Sequence, residues 1–459
     1  VILCLKSKQL EEEVVLDPKI KRALNISIIE GALAVLINQF FGGAYLTGYF
    51  LWMGASSFFI GLFGSIPFLA NTLQLLTLSF SHRLKSRKQI IVPLMWTART
   101  SILLFAVFPA IRHGLLFAYL LYFYIQIAGA LSAPLWQSWM SDLVPKDMIG
   151  SYFGFRNLIH GAVQIPAMFL AGAILDSLGE NWKGFGTLFL IAGSLGALNG
   201  YFLKIQYEPP YKPREASVSI TKAVKFLLKE EHFKNFLLGF AFWQFAIGVG
   251  TVYINVMLLK EVEFSYLQIS VLNAVGMFIG TLFQPFWGKL GDRYGFQYFL
   301  KVCLWIHAIV ILLWALTPRS FLYVFFLQII IGIFVTAGTS QLVFYTLMYT
   351  APSSLKTEAF SVFNSLSNLS LFAGSLVASV LVALLENISL PFGISAIRLT
   401  MFISFFLRAS AAYIISRMDL GTPQKVDSLI QAVKESFFSG TVPWIRERLN
   451  TLNIFRRKR

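Results

Sequence analysis

The stretch GKLGDRYG, residues 288–295, follows directly on an apolar run, and Gly288, Leu290, Asp292, Arg293 and Gly295 give it the pattern G-x-L-x-D-R-x-G. A degraded copy, LSFSHRLKSRK at 78–88, follows another apolar run earlier in the chain. There Leu78 stands for the first Gly, His82 for the Asp and Lys85 for the second Gly, while Arg83 is kept. The correspondence extends outward. PKDMIGSYFGFRN (145–157) is matched in part by Pro352, Thr357, Phe360 and Asn364, and Gln74 by Gln284. An offset of about 207–210 residues that survives at several places marks two equivalent halves.

What the halves are made of follows from hydropathy. The chain has 459 residues, 56% hydrophobic and 13% charged, with mean hydropathy +0.68. A soluble domain needs more charge than that to cover its surface. A span takes roughly 20 apolar residues, and twelve runs qualify: 23–46, 55–80, 89–111, 115–141, 150–175, 184–205, 235–259, 266–288, 296–318, 320–349, 357–386 and 391–418. Continuous runs favour helices over the short alternating strands of a barrel. The first run follows a charged arm and lacks a small-residue cleavage site, so it reads as a span rather than a signal peptide. The expected fold is an all-α membrane protein with twelve transmembrane helices in two pseudo-symmetric six-helix bundles.

The 38 Lys and Arg are distributed unevenly. With both termini inside, only Arg112, Lys183, Lys260 and Arg319 fall in outer loops, and Arg99, Arg156, Arg398 and Arg408 fall within spans; the rest collect on the inner side. This skew predicts cytoplasmic termini in a cell (inner) membrane. It also explains the net charge of +16 without nucleic acid. The expected organisation is an arm at 1–22, a first bundle at 23–205, a linker at 206–234, a second bundle at 235–418 and a basic tail at 419–459. In the linker, Ile220, Val224, Leu227 and Leu228 oppose Lys222, Lys225 and Lys229. The tail repeats the pattern with Val426, Leu429, Ile430, Val433 and Phe437. Both are expected to lie as helices on anionic membrane lipids, or else to be solvated.

The 288–295 motif and its copy, with six plus six spans about a central linker, resemble the major facilitator superfamily over nearly the whole chain. The stretches Gly54 to Ser57 and Trp136 to Pro145 are similar to a bacterial-type branch of unknown substrate. The resemblance implies a secondary transporter working by alternating access, with the first, fourth, seventh and tenth spans around a central cavity. It also implies a cytoplasmic gate at Gly288, Asp292, Arg293 and Gly295. Arg83 belongs to the degraded copy, whose gate role the lost Gly and Asp put in question. Physically, Gly permits a close approach and a tight turn. Asp at a helix end pairs with Arg or accepts free N–H groups.

Small and polar residues form stripes on those four spans: Ser27, Gly31, Ala34 and Asn38; Gln126, Ala130, Ala133 and Gln137; Gln244, Gly248, Thr251 and Asn255; Gln328, Gly332, Val335 and Thr339. Each follows i, i+4, i+7, i+11, which is one helix face. Polar groups in lipid need a partner or a wet cavity. The stripes therefore either line a substrate cavity or serve as close-packing surfaces with amide glue. Glu30 lies beside the first stripe; it is either a proton-coupling carboxylate or the counter-ion of Arg99. Asp142 and Arg156 are expected to clamp the inner ends of the fourth and fifth spans. His160 and His307 read as hydrogen-bonded rather than functional.

No Walker loop, no metal-ligand cluster among His, Cys and carboxylates, and no nucleophile elbow occurs, so neither an enzyme nor a cofactor is expected. The expected substrate is a small neutral polar, amphipathic or cationic solute, moved with or without protons. The alternatives are a lipid or hydrophobic-compound transporter or exporter, and a non-transporting receptor or scaffold on a carrier fold.

Overall fold

The computed structural model describes residues 17–74, 76–77, 84–145, 148–211, 220–352, 355–388 and 390–420; for 149–151, 220–223, 289, 292–294, 356–357 and 392 it describes backbone only. Leu78 to Arg83 and the tail from 421 lie outside these residues, as does the expected arm as far as residue 16.

Among the described residues the elements are helical. Eleven helices are long and apolar enough to cross a membrane, and Ser57–Thr72 is a shorter twelfth. The first span is α1 (Pro18–Phe40) and α2 (Gly43–Trp52); the second is α3 (Ser57–Thr72). The third is α4 (Lys88–Thr100) tightened into a 3₁₀ turn at Ser101–Ala106. Then come α5 (Gly114–Leu143), α6 (Ile149–Leu178) and α7 (Trp182–Ile205). The linker holds α8 (Ile220–Leu227), whose Leu227 is buried in the core of the second half. The second half repeats the order. It runs through α9 (Glu231–Thr251) with α10 (Ile254–Lys260), α11 (Tyr266–Tyr294) and α12 (Phe296–Ala315). The tenth span is α13 (Phe321–Ile330), a π-helical stretch (Ile331–Thr339) and α14 (Ser340–Thr350), followed by α15 (Lys356–Leu385) and α16 (Ala396–Arg417). The chain is a multi-pass membrane protein, and six plus six helices form its two bundles.

The first span of each half is broken at the same relative place, α1 from α2 and α9 from α10. At the first break Gly43 adopts φ +54, a conformation that costs glycine little. The halves meet along α3 and α15, along α6 and α11, and where α2 touches α10. Among the described residues, the hydrogen bonds between the halves cluster on the side opposite the linker. There Tyr253 Oη donates to Ser57 O at 2.6 Å, Ser57 Oγ donates to Glu386, and Tyr45 Oη meets Ser270 Oγ at 2.5 Å. The molecule is thus sealed on the side away from the linker.

Candidate functional site

A pocket of about 150 Å³ sits between the halves at the α1/α2 break. Asn38, Gln39 and Tyr45 line it from the first span, Met168 from α6, and Ile269, Ser270 and Asn273 from α11. A break leaves helix-end carbonyl and N–H groups free of their usual partners, so a broken span is a natural place to hold a polar solute. The lining combines amides, hydroxyls and a thioether with the apolar Ala44 and Ile269, and none of these side chains is charged. Tyr45 joins the elements: its hydroxyl donates to Met168 O at 3.0 Å and meets Ser270.

Of the residues expected at a cavity, Asn38 is at this pocket and exposed, and Gln137 is exposed on α5. Gln126, Gln244, Thr251 and Asn255 are half-buried, with the Thr251 hydroxyl turned back to Ile247 O. The tenth-span stripe is used differently. Gln328 is buried, with its amide over Gly276 of α11, and Gly332 packs on Gly276 and Ile279; Thr339 is buried and bonds Phe334 O. That face is a packing surface against α11. Gln39, Tyr45, Ser270 and Asn273 were not singled out by the stripes, which follow unbroken helices; the Gly42-Gly43 pair was the signal available.

Glu30 is buried inside the first half. Arg99 Nη1 donates to it at 3.1 Å and Arg156 Nη2 lies 3.8 Å away. Asn199 Nδ2 donates to the Glu30 backbone oxygen at 2.7 Å and to its carboxylate at 3.3 Å, while Arg99 also reaches Asn199 Oδ1. Arg156 rests on the Trp136 ring at 4.7 Å. Four elements (α1, α4, α6 and α7) are tied through one carboxylate. The expected clamp between Arg156 and Asp142 is not how these two are used. Arg156 lies about two turns into α6 and so at the depth of Glu30, whereas Asp142 ends α5.

Asp142 accepts from Arg87 at 2.7 Å. Arg87 is fully buried, also bonds Glu208 at 2.9 Å and Ser138 at 2.9 Å, and lies 4.5 Å from the Tyr211 ring. Burial would push the Glu208 carboxyl up, but hydrogen bonds from Ser86, from the Arg87 side chain and from the Arg87 and Lys88 N–H groups outweigh it. The group sits below its ordinary range. This network staples the start of the linker to the end of the first half. Gly288 and Gly295 flank the end of α11; Gly288 is buried and Gly295 has φ +95. Asp292 and Arg293 lie on the last turn of α11, with side chains outside the description, and Arg83 lies outside the described residues.

A family model described as Major Facilitator Superfamily matches residues 22–375 and 251–416. The fold is similar to the crystal structure of a point mutant of the nucleoside transporter NupG, with TM-score 0.70 and 14% identity over 86% of this chain and 98% of that one. It is similar as well to a bacterial homologue of the human lysosomal transporter Spinster in an inward-facing, occupied conformation (TM-score 0.65, 16% identity, 90% and 100% covered). A D-xylose–proton symporter gives TM-score 0.65 at 13% identity, with 87% and 98% covered. No curated protein matches the sequence.

Proposed function

The chain belongs to the major facilitator superfamily and is a secondary transporter, and from that premise we propose that it carries a small, neutral, polar solute bound at the break of the first span. One observation carries the reading: the polar side chains of this pocket between the halves are all amides and hydroxyls, set among Ala44, Met168 and Ile269, and none is charged. A charged solute would have to leave water for a pocket that offers no counter-charge, which is costly. A solute with several hydroxyl or amide groups instead exchanges water hydrogen bonds for Asn38, Gln39, Tyr45, Ser270 and Asn273. The nucleoside and D-xylose named for two of the similar structures have this chemistry. The linker and both termini are assigned to the cytoplasmic side on the Lys and Arg skew, and the gate at Asp292 and Arg293 to that side with them.

Proton coupling through Glu30 belongs to this proposal as its second part. The carboxylate is the acid deepest in the first span, and its ties to α4, α6 and α7 would let a change of charge there alter how the first half packs. The test is a thermal-shift screen of the purified protein against neutral polyols, nucleosides and amides, with organic acids and amines beside them, since a ligand of the folded state raises its melting temperature. Hits then enter flux assays in vesicles with and without a pH gradient. The reading expects stabilisation by a neutral solute that is lost in Asn273→Ala. Stabilisation by charged solutes alone would overturn it.

A further inference from the structure

Asp176 is placed badly for its own helix. It lies in the last turn of α6, where the helix dipole is negative and an acidic side chain is unfavourable. The other half makes up for this. Asp176 Oδ1 accepts from Tyr266 N at 3.1 Å and Oδ2 from Leu267 N at 3.2 Å, the first two N–H groups of α11. The next donor, Gln268 N, is met inside α11 by its own cap, Ser265 Oγ, at 3.2 Å. So α11 satisfies one of its opening N–H groups itself and takes the partner for two more from the opposite half. The approach is close: a side chain on Gly172, one turn before Asp176, would meet Leu267 Cα at 2.8 Å. The Tyr266 ring stacks on Tyr45, with centroids 5.8 Å apart, and Tyr45 lines the pocket.

We propose that Asp176 is the latch of the sealed side, a cap that is complete only while the halves are closed there, and that Tyr45 joins this latch to the solute pocket. The proposal rests on the alternating-access reading and deepens it. When the halves part, Tyr266 N and Leu267 N lose their acceptor and must turn to water, so the carboxylate sets the balance between sealed and open forms. The Tyr45 hydroxyl, shared between Ser270 and Met168 O, adds a second tie that a solute competing for it loosens.

Spin labels at Leu178 and Leu322, both exposed at sealed-side helix ends of opposite halves, report the state by their separation in the purified protein without any solute. Asp176→Ala is expected to raise the ratio of open to sealed molecules by about fivefold, the effect of losing one helix cap. Tyr45→Phe, which keeps the ring stack, is expected to raise it less. A shift in Asp176→Ala supports the latch whatever solute the flux assays find. An unchanged separation in a variant that melts like the parent overturns it, again whatever is carried. Should Asp176→Ala fail to fold, Asp176→Asn, which keeps the shape and one acceptor, is read by the same two outcomes. An unchanged separation in Tyr45→Phe removes Tyr45 from the latch.

Discussion

Gly31 and Gly248 each bring the first helix of a half against the fifth, but Gly31 lies nine residues before the end of α1 and Gly248 three before the end of α9, and their surroundings differ. Each lies on the first helix of its half, where a side chain would run into the fifth: into Arg156 and His160 of α6, or into Leu371 and Ser375 of α15. The residue before each glycine offers its backbone oxygen to the last helix of the half. Asn199 Nδ2 donates to Glu30 O at 2.7 Å, and Arg408 Nη2 to Ile247 O at 3.4 Å. A glycine against the fifth helix and a carbonyl tie to the last thus recur in both halves, at different depths. The charge does not recur, because counting back from the break puts Ala241 of α9 where α1 has Glu30. Arg408 is buried with Ser404 Oγ at 3.0 Å and a backbone oxygen; no carboxylate pairs with it among the described residues. A carboxylate in the first half that the fold can do without calls for another explanation, and coupling is the one proposed here.

The comparison breaks most readily at Glu30. Glu30→Gln leaves Arg99 and Arg156 buried without their counter-ion and is expected to cost about 3–5 kcal/mol, read as an early melt in detergent. Adding Arg99→Gln should recover part of this and not all, because Arg156 stays unpaired; full recovery would detach Arg156 from the cluster. If the Glu30→Gln protein melts like the parent and still follows a pH gradient, neither the counter-ion role nor the coupling role survives.

The two glycines also predict unequal behaviour. Gly31→Leu runs into the side-chain ends of Arg156 and His160 and is expected to destabilise by about 1–3 kcal/mol, whereas Gly248→Leu runs into the backbone of α15 and is expected to cost more. A smaller loss at Gly248 than at Gly31 would mean that α15 gives way more readily than the ion cluster. Arg408→Met replaces a lone buried cation by an apolar chain of similar length, and is expected to leave stability unchanged or raise it by about 1 kcal/mol. A loss as large as that of Glu30→Gln would give the second half a hidden ionic partner and end the contrast.

A further effect, local to one end of the first half, concerns the linker staple. Glu208→Gln should cost about 2 kcal/mol, as Arg87 keeps Asp142. Because the Glu208 carboxyl is held below its ordinary range, its contribution is present above the unfolded carboxylate value and disappears as pH falls through the lower folded one. Acid melting curves of parent and Glu208→Gln should therefore converge at low pH. Curves that stay parallel would show that the carboxyl is not held low.

The spans and the two halves were legible in the sequence because twenty-residue apolar runs and a long-period repeat need no knowledge of contacts. Glu30 and Arg99 were also within reach, since counting residues from the helix ends places both at one depth, and the structure puts them 3.1 Å apart. Contacts that depend on departures from a regular helix were not. The pocket forms where α1 stops, and the stripe drawn on the first span ends at Asn38, short of Tyr45. In the tenth span the stripe runs into the π-helical stretch Ile331–Thr339, whose wider turn rotates each later side chain away from the 3.6-residue face. Arg87 stood in the degraded motif copy as one more basic loop residue. Nothing in the spacing shows that its side chain folds inward onto Asp142 and Glu208.

The break at Phe41 and Gly42 also bears on how far the sealed side has to travel. Ten residues of helix make α2 a rigid lever about 15 Å long. Its joint is already free of continuous helical bonding, so swinging it sacrifices no further backbone ladder. A swing of about 20° carries the tip of a 15 Å lever by about 5 Å, roughly one helical pitch. Its neighbour across the halves, α10, is a still shorter lever of seven residues on the corresponding joint. Moving these two short arms would part this end with the long shafts α1 and α9 still seated, at the cost of lifting Tyr49 and Phe50 out of the core of the first half.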